Sequence, residues 1–81
     1  MPAFTGLVDD FDPFALRRIR IERDMSQREL ASAMGMIDAS YSASNISAYE
    51  NGRRTPTNAN LRKMAAALKC RPSDLRKKSE R

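Results

Sequence analysis

Residues 44–56 read SNISAYENGRRTP, and this stretch decides the fold. Its first part has the spacing of a short helix, with Ile46 and Tyr49 on an inner side and small polar side chains on the outer side. Asn51 and Gly52 end that helix, and two arginines follow at once. A helix of this kind can lie in the major groove of DNA while the arginines behind it hold phosphates. The stretch therefore predicts a DNA-contacting helix.

Two helices are predicted before this stretch. Asp12 can cap the first helix, and Pro13 suits its first position because the missing N–H is not needed there. The second opens with a capping box, in which Ser26 and Glu29 satisfy each other's backbone amides. Gly35 can take the left-handed conformation that closes this helix.

The helix of the opening stretch is predicted to run from Ala43 to Asn51, with Ser42 as its N-cap. A fourth helix begins after Thr57 as its cap, and a short fifth begins near Pro72. Apolar residues at helical spacing predict one shared core, formed by Leu16, Ile19, Leu30, Ala31, Met34, Ile46, Tyr49, Leu61, Met64, Ala65, Leu68 and Leu75. No repeat or strand pattern is visible, so we expect an all-α fold of five short helices.

The chain has 81 residues, which suffice for one small domain with one core. We expect an N-terminal arm at 1–11, a helical domain at 12–76 and a basic tail at 77–81. The arm combines apolar and acidic side chains, namely Phe4, Leu7, Val8, Phe11, Asp9 and Asp10. Its apolar residues either pack on the domain or serve a protein partner. Its acidity predicts that it lies away from DNA.

The charge of the chain is distributed unevenly. Residues 1–52 carry five basic and eight acidic side chains, a net of −3, whereas residues 53–81 carry ten basic and two acidic ones, a net of +8. Together they give the overall +5. Such asymmetry favours a polyanionic partner. A solvated surface with a basic tail would have the same composition.

Several classes of function are disfavoured by composition. The chain has no His and one Cys, so we expect no acid–base catalysis, no metal site and no catalytic residue. With three glycines it has no glycine-rich phosphate loop, and we expect no cofactor. It has no apolar run of membrane-spanning length and no signal-like N-terminus, so we expect a cytoplasmic protein with no membrane partner.

The combined motifs resemble the Xre/Cro-type (phage repressor-like) helix-turn-helix family. The resemblance covers roughly residues 14–75 and rests on the capping box, the E-N-G-R-R-x-P motif and the stripe of the fourth helix. The matching positions are Leu16, Ile19, Arg20, Leu30, Ala31, Ile46, Tyr49, Glu50, Asn51, Gly52, Pro56, Leu61, Ala65, Ala67 and Leu68. The resemblance implies a five-helix, lambda-repressor-like DNA-binding domain.

The same resemblance implies roles for individual residues. Arg20 and Glu50 match a half-buried structural ion pair between the first and third helices. The implied base-reading positions are Ala43, Ser44, Asn45, Ser47 and Ala48. The implied phosphate contacts are Gln27, Arg53, Arg54, Thr55 and Asn58. Because the base-reading side chains are small and none is Arg, we expect a readout that leans toward A·T pairs or relies on DNA shape.

Three positions depart from the family pattern. Gly35 and Ile46 lie eleven positions apart, five more than the pattern has, so the connection between the second and third helices is lengthened. The extra residues, 36–41, either lengthen the second helix or form a loop from which Ser40 or Tyr41 could contact phosphate. Lys69 replaces the usual Gly after the fourth helix, and Arg71 replaces a usual capping Ser.

These features predict a sequence-specific transcriptional regulator, expected to be a repressor that reads an operator with its third helix. We expect its partner to be double-stranded DNA, bound by a homodimer on a near-palindromic operator. The alternative is an antitoxin or adaptor that acts mainly through protein–protein binding, with the N-terminal arm as its point of attachment.

Overall fold

In a computed structural model of the chain, residues 6–35 and 39–77 are described, with the backbone alone at 39–42. They form the α-helices α1 (Pro13–Glu22), α2 (Gln27–Ala33), α3 (Ala39–Glu50) and α4 (Asn58–Leu68), and a 3-10 helix at Pro72–Leu75. Within these residues there are isolated β-bridges but no strand. The all-helical class is therefore confirmed, and the fifth predicted helix is a single 3-10 turn.

Three predicted caps start the helices they were expected to start. The Asp12 carboxylate accepts hydrogen bonds from two amides at the start of α1. Ser26 and Glu29 form the complete capping box of α2, with bonds of 2.9 and 2.7 Å. The Thr57 hydroxyl accepts from the first turn of α4 at 3.1 Å. Local side-chain chemistry thus sets where these helices begin.

The predicted start of α3 is wrong. The helix begins at Ala39, so Ser42 lies inside it rather than at its cap. No proline or glycine interrupts residues 39–42, and the helix continues through them. The extra residues do not lengthen α2, which ends at Ala33. They do not form a loop over 39–41 either, because the backbone of those residues belongs to α3. Residues 36–38 of the insertion lie outside the described residues.

The end of α3 is a Schellman motif centred on Gly52. Gly52 has a φ of +75°, and its N–H donates to the Tyr49 carbonyl at 3.2 Å. The Arg53 N–H donates to the Ala48 carbonyl at 2.9 Å. These two bonds satisfy carbonyls that the last helical turn would leave free. They also turn the chain back along the helix it has just left.

The end of α4 has the same pair of bonds without a glycine. Lys69 has a φ of +56°, and its N–H donates to Ala66, while the Cys70 N–H donates to Ala65. Lys69 thus adopts the left-handed conformation expected from its replacement of a glycine. The guanidinium of Arg23 covers a further carbonyl of this helix end, that of Leu68, at 2.8 Å.

One hydrophobic core joins all the described elements. Every apolar residue predicted for the core is buried. The structure adds Val8, Phe11 and Ala15 to the buried apolar residues. Cys70 and Ala67 are partly buried and pack against this core.

The described part of the N-terminal arm packs on the domain. Val8 and Phe11 are buried in the core. For these two residues, the first of the two alternatives therefore holds: they pack on the domain. Backbone hydrogen bonds join residues 6–8 to residues 56–58, and residues 10–12 to residues 75–77. The backbone of residues 6–8 therefore lies beside the segment that follows Arg54, while the expected placement of the arm away from DNA stays a prediction. Phe4 lies outside the described residues.

Candidate nucleic-acid interface

The inner side of α3 is held in the core. Ile46 is fully buried, and Tyr49 is 5% exposed. The Tyr49 ring meets Phe11 edge-on, with ring centroids 6.3 Å apart, and its hydroxyl accepts a long hydrogen bond of 3.4 Å from the Asn60 amide. These contacts fix the rotation of α3 about its axis, which decides the residues that face outward.

A charged network fixes the end of the same helix. The Arg20 guanidinium donates to both carboxylate oxygens of Glu50, at 2.5 and 3.2 Å, and to the Met25 carbonyl at 2.7 Å. The side chains of Arg20 and Glu50 are 12% and 4% exposed. Since both charges are nearly buried, each depends on the other for its stability there.

Gln27 joins this network from the first turn of α2. Its amide Nε2 donates to a Glu50 oxygen at 3.1 Å. Gln27 is half-buried. Its side chain is therefore held between α2 and α3, at the N-terminal end of α2.

The outer side of α3 carries the residues predicted to read bases. Ser44 is exposed, and the other four, Ala43, Asn45, Ser47 and Ala48, are partly exposed. The Ser47 hydroxyl accepts a hydrogen bond of 3.3 Å from the exposed Asn51 amide. All five predicted positions thus lie on one accessible side, and Asn51 extends that side toward the end of the helix.

The loop after α3 brings its arginines back toward this side. Arg53, Arg54 and Thr55 are all exposed. Among the described residues the Arg53 side chain makes no hydrogen bond or ion pair. The Arg54 guanidinium does: its Nη1 donates to Asn45 Oδ1 at 2.6 Å. An arginine therefore lies on the side of α3 where the sequence alone places none.

Asn58, at the start of α4, lies next to Arg76. Arg76 donates to the Asn58 amide oxygen at 3.3 Å and to the Asp10 carboxylate at 2.7 Å. The sequence alone does not place Arg76 here, because its partners are eighteen and sixty-six residues away. No local pattern signals contacts of that range. The side chains of Ser40 and Tyr41, the two remaining phosphate candidates, lie outside the described residues.

Cys70 is partly buried against the core. Burial raises the pKa of its thiol above the usual value, the Asp74 carboxylate adds to the rise, and Arg23 opposes it. A raised pKa leaves little thiolate near neutral pH, which suits packing rather than nucleophilic chemistry. In the described part of the chain, no three His, Cys, Asp or Glu residues form a group that could hold a metal ion.

Comparisons with known proteins agree with this geometry. A family model described as "Helix-turn-helix" matches residues 16–75. The chain belongs to this Xre/Cro-type family. It is also similar to the crystal structure of the restriction-modification controller protein C.AhdI from Aeromonas hydrophila, with 33% identity and a TM-score of 0.66. The match covers 78% of this chain and 88% of that one. No curated protein sequence matches the chain.

The helix-turn-helix match begins within α1 and ends with the 3-10 helix. Val8 and Phe11 lie before it, yet both are in the core. The packed unit is therefore longer at its N-terminal end than the part that the family model matches. In the described residues, none of the helices has the length and apolar character that a membrane span needs.

Proposed function

We propose that this protein is a sequence-specific transcriptional repressor that reads the major groove of an operator with α3. The family and the similarity to a restriction-modification controller support the broader statement, a DNA-binding transcriptional regulator. One observation carries the narrower one. The inner side of α3 is locked by Ile46, Tyr49 and the Arg20–Glu50 pair, so that its serine-and-asparagine side faces out.

The chemistry of the outward side suits base edges. Serine hydroxyls can bond several base edges, and alanine methyls can contact the methyl group of thymine. Ser44 and Ser47 supply the hydroxyls, while Ala43 and Ala48 supply the methyls. Asn45 supplies an amide, and its oxygen accepts a hydrogen bond from Arg54.

The residues around α3 supply contacts to the DNA backbone. We assign phosphate binding to Gln27 at the positive end of α2 and to Arg53 and Thr55 in the loop, whereas Arg54 bonds Asn45 on the outer side of α3. Asn58 at the start of α4 belongs to the same group, as do Ser40 and Tyr41. Phosphate contacts of this kind set affinity and position, whereas base contacts set the sequence that is preferred.

The protein acts as a homodimer in this proposal. Two copies of α3 would enter successive major grooves about one helical turn of DNA apart, on a near-palindromic site. Bound there, the dimer would occlude the polymerase. No catalytic residue and no cofactor form part of the mechanism.

Selection from random duplexes, followed by a salt titration of the selected site, tests the proposal. We expect a near-palindromic site and an affinity that falls steeply with salt, by a slope of about 0.9 for each phosphate neutralised. Arg53→Ala should lower affinity for every duplex and flatten that slope by about one contact. A chain that binds no duplex in dilute buffer would overturn the proposal.

The protein-binding alternative is favoured by one observation, the exposure of Phe14 and Ile21 on α1. Of the arm residues Phe4, Leu7 and Phe11, which support this alternative in the sequence, Phe11 is buried, Leu7 is 41% exposed and Phe4 lies outside the described residues. The same titration separates the two functions. Hydrophobic binding to a protein partner should persist at salt concentrations that release DNA.

A further inference from the structure

We infer that Arg54 is a specificity-determining residue: by holding Asn45, it makes the pair select guanine at one base pair of the site. This inference rests on the proposed function, because it names the base preference of the same helix. The observation behind it is the 2.6 Å hydrogen bond from Arg54 Nη1 to Asn45 Oδ1.

The path of the chain explains how two residues nine positions apart meet. The Schellman motif at Gly52 reverses the chain, so that the Arg54 N–H also approaches the Ala48 carbonyl, at 3.3 Å. Ala48 follows Asn45 by three positions, which places both on one side of the helix. Its methyl group leaves room for a long side chain to pass. The arginine therefore extends back along the outer side of α3.

The bond changes what Asn45 offers to a base. An unassisted asparagine reads adenine with two bonds, because Oδ1 accepts from the adenine amine and Nδ2 donates to N7. Here one of the two lone pairs of Oδ1 accepts from a cationic donor by a strong, charge-assisted bond, which makes Oδ1 a weaker acceptor for a base. The Asn45 amide keeps its two Nδ2 hydrogens for other partners.

The pair as a whole then presents donors. The Arg54 guanidinium has further N–H groups besides the one that bonds Oδ1, and the Asn45 Nδ2 group is bonded to the same amide carbon as that Oδ1. Guanine offers two acceptors in the major groove, N7 and O6, whereas adenine offers one acceptor beside a donor. An edge that is rich in donors matches guanine better than it matches adenine, whose amine needs an acceptor. The readout at this position therefore departs from the A·T preference that the side chains of α3 suggest by themselves.

Arg53 provides a matched control. It is adjacent, exposed and equally charged, but among the described residues its side chain forms no hydrogen bond or ion pair. Both arginines lie on the surface, so replacing either should leave the urea midpoint of unfolding unchanged. If base preference changes when Arg54 is replaced but not when Arg53 is replaced, the cause is the hydrogen bond between Arg54 and Asn45 rather than the loss of one positive charge.

The experiment is a selection from random duplexes with four proteins: the unaltered chain, Asn45→Ala, Arg54→Ala and Arg53→Ala. Asn45→Ala identifies the base pair read by Asn45, because preference disappears there. We expect guanine at that position for the unaltered chain and for Arg53→Ala, and adenine for Arg54→Ala. The change should be about 5- to 150-fold in relative affinity, the range that single bidentate base contacts give.

Each result supports or overturns the inference. Adenine preferred by the unaltered chain, or an unchanged preference in Arg54→Ala, would show that Arg54 does not orient Asn45 on DNA. The proposed function would survive either result, since duplex binding would remain. Failure of the unaltered chain to bind any duplex in dilute buffer would overturn both.

Discussion

The two sides of α3 are held in different ways. The inner side is fixed by buried apolar contacts and by a buried ion pair that reaches α1 and α2. The side chains of the outer side bond within a surface group, Asn45 to Arg54 and Ser47 to Asn51. In the proposed function, the inner side of α3 therefore serves stability and the outer side serves recognition. The inner side sets the orientation of the helix, while the outer side can vary without affecting the core.

The largest effect that would test this separation is the loss of Glu50. Glu50→Ala leaves the Arg20 guanidinium nearly buried without its carboxylate, so we expect the free energy of unfolding to fall by about 3–5 kcal/mol. Urea unfolding followed by circular dichroism measures this change. A loss below about 1 kcal/mol would mean that the ion pair does not hold the inner side.

Glu22→Ala is the matched control. Glu22 pairs with Arg18 at 3.6 Å, but both side chains are more than half exposed. Removing an exposed pair of this type changes stability by roughly 0–1 kcal/mol. The contrast between the two glutamates therefore measures the effect of burial rather than of charge.

The next effect concerns the outer side. Ser44→Ala removes an exposed hydroxyl, so we expect stability to change by less than about 0.5 kcal/mol. Affinity for the selected duplex should fall by roughly 1–3 kcal/mol, and preference should relax at one or two base pairs. Fluorescence anisotropy on matched and mismatched duplexes measures both. A loss of stability without a loss of preference would place Ser44 among the structural residues.

The smallest effect concerns how α3 and α4 end. A methyl group at Gly52 would meet nothing closer than Pro13 Cγ at 4.0 Å, so strain in the left-handed backbone dominates. We expect Gly52→Ala to lower the free energy of unfolding by about 1 kcal/mol and Lys69→Gly to raise it by about 0.5–1 kcal/mol. Thermal unfolding of both variants checks the opposite signs. If both variants changed the free energy of unfolding in the same direction, backbone strain at the left-handed residue would not be what the two helix ends share.

Much of the fold could be predicted because its signals are local. Asp12, Ser26 and Thr57 each lie within three residues of the amides that they cap, and the apolar spacing of each helix is visible in the sequence. The start of α3 could not be predicted in this way. Ser42 has the chemistry of a cap, but residues 39–41 are also compatible with a helix, and the choice is made by the whole fold.

The candidate site was predictable in its residues but not in its contacts. The sequence pattern identifies an outer side of small polar residues, and the structure has them there. The Arg54–Asn45 bond requires a chain reversal between its partners, and the Arg76–Asp10 pair joins nearly opposite ends of the chain. Neither is encoded at a fixed spacing. Tertiary structure is needed to find them.

The contact between residues 10 and 77 has a consequence for the connectivity of the domain. The Lys77 N–H donates a hydrogen bond to the Asp10 carbonyl at 2.6 Å, and Phe11 and Arg76 form an isolated antiparallel β-bridge. The segment before α1 and the segment after the 3-10 helix are therefore held side by side, and removal of the residues beyond Leu75 would take away partners of residues 10 and 11 as well.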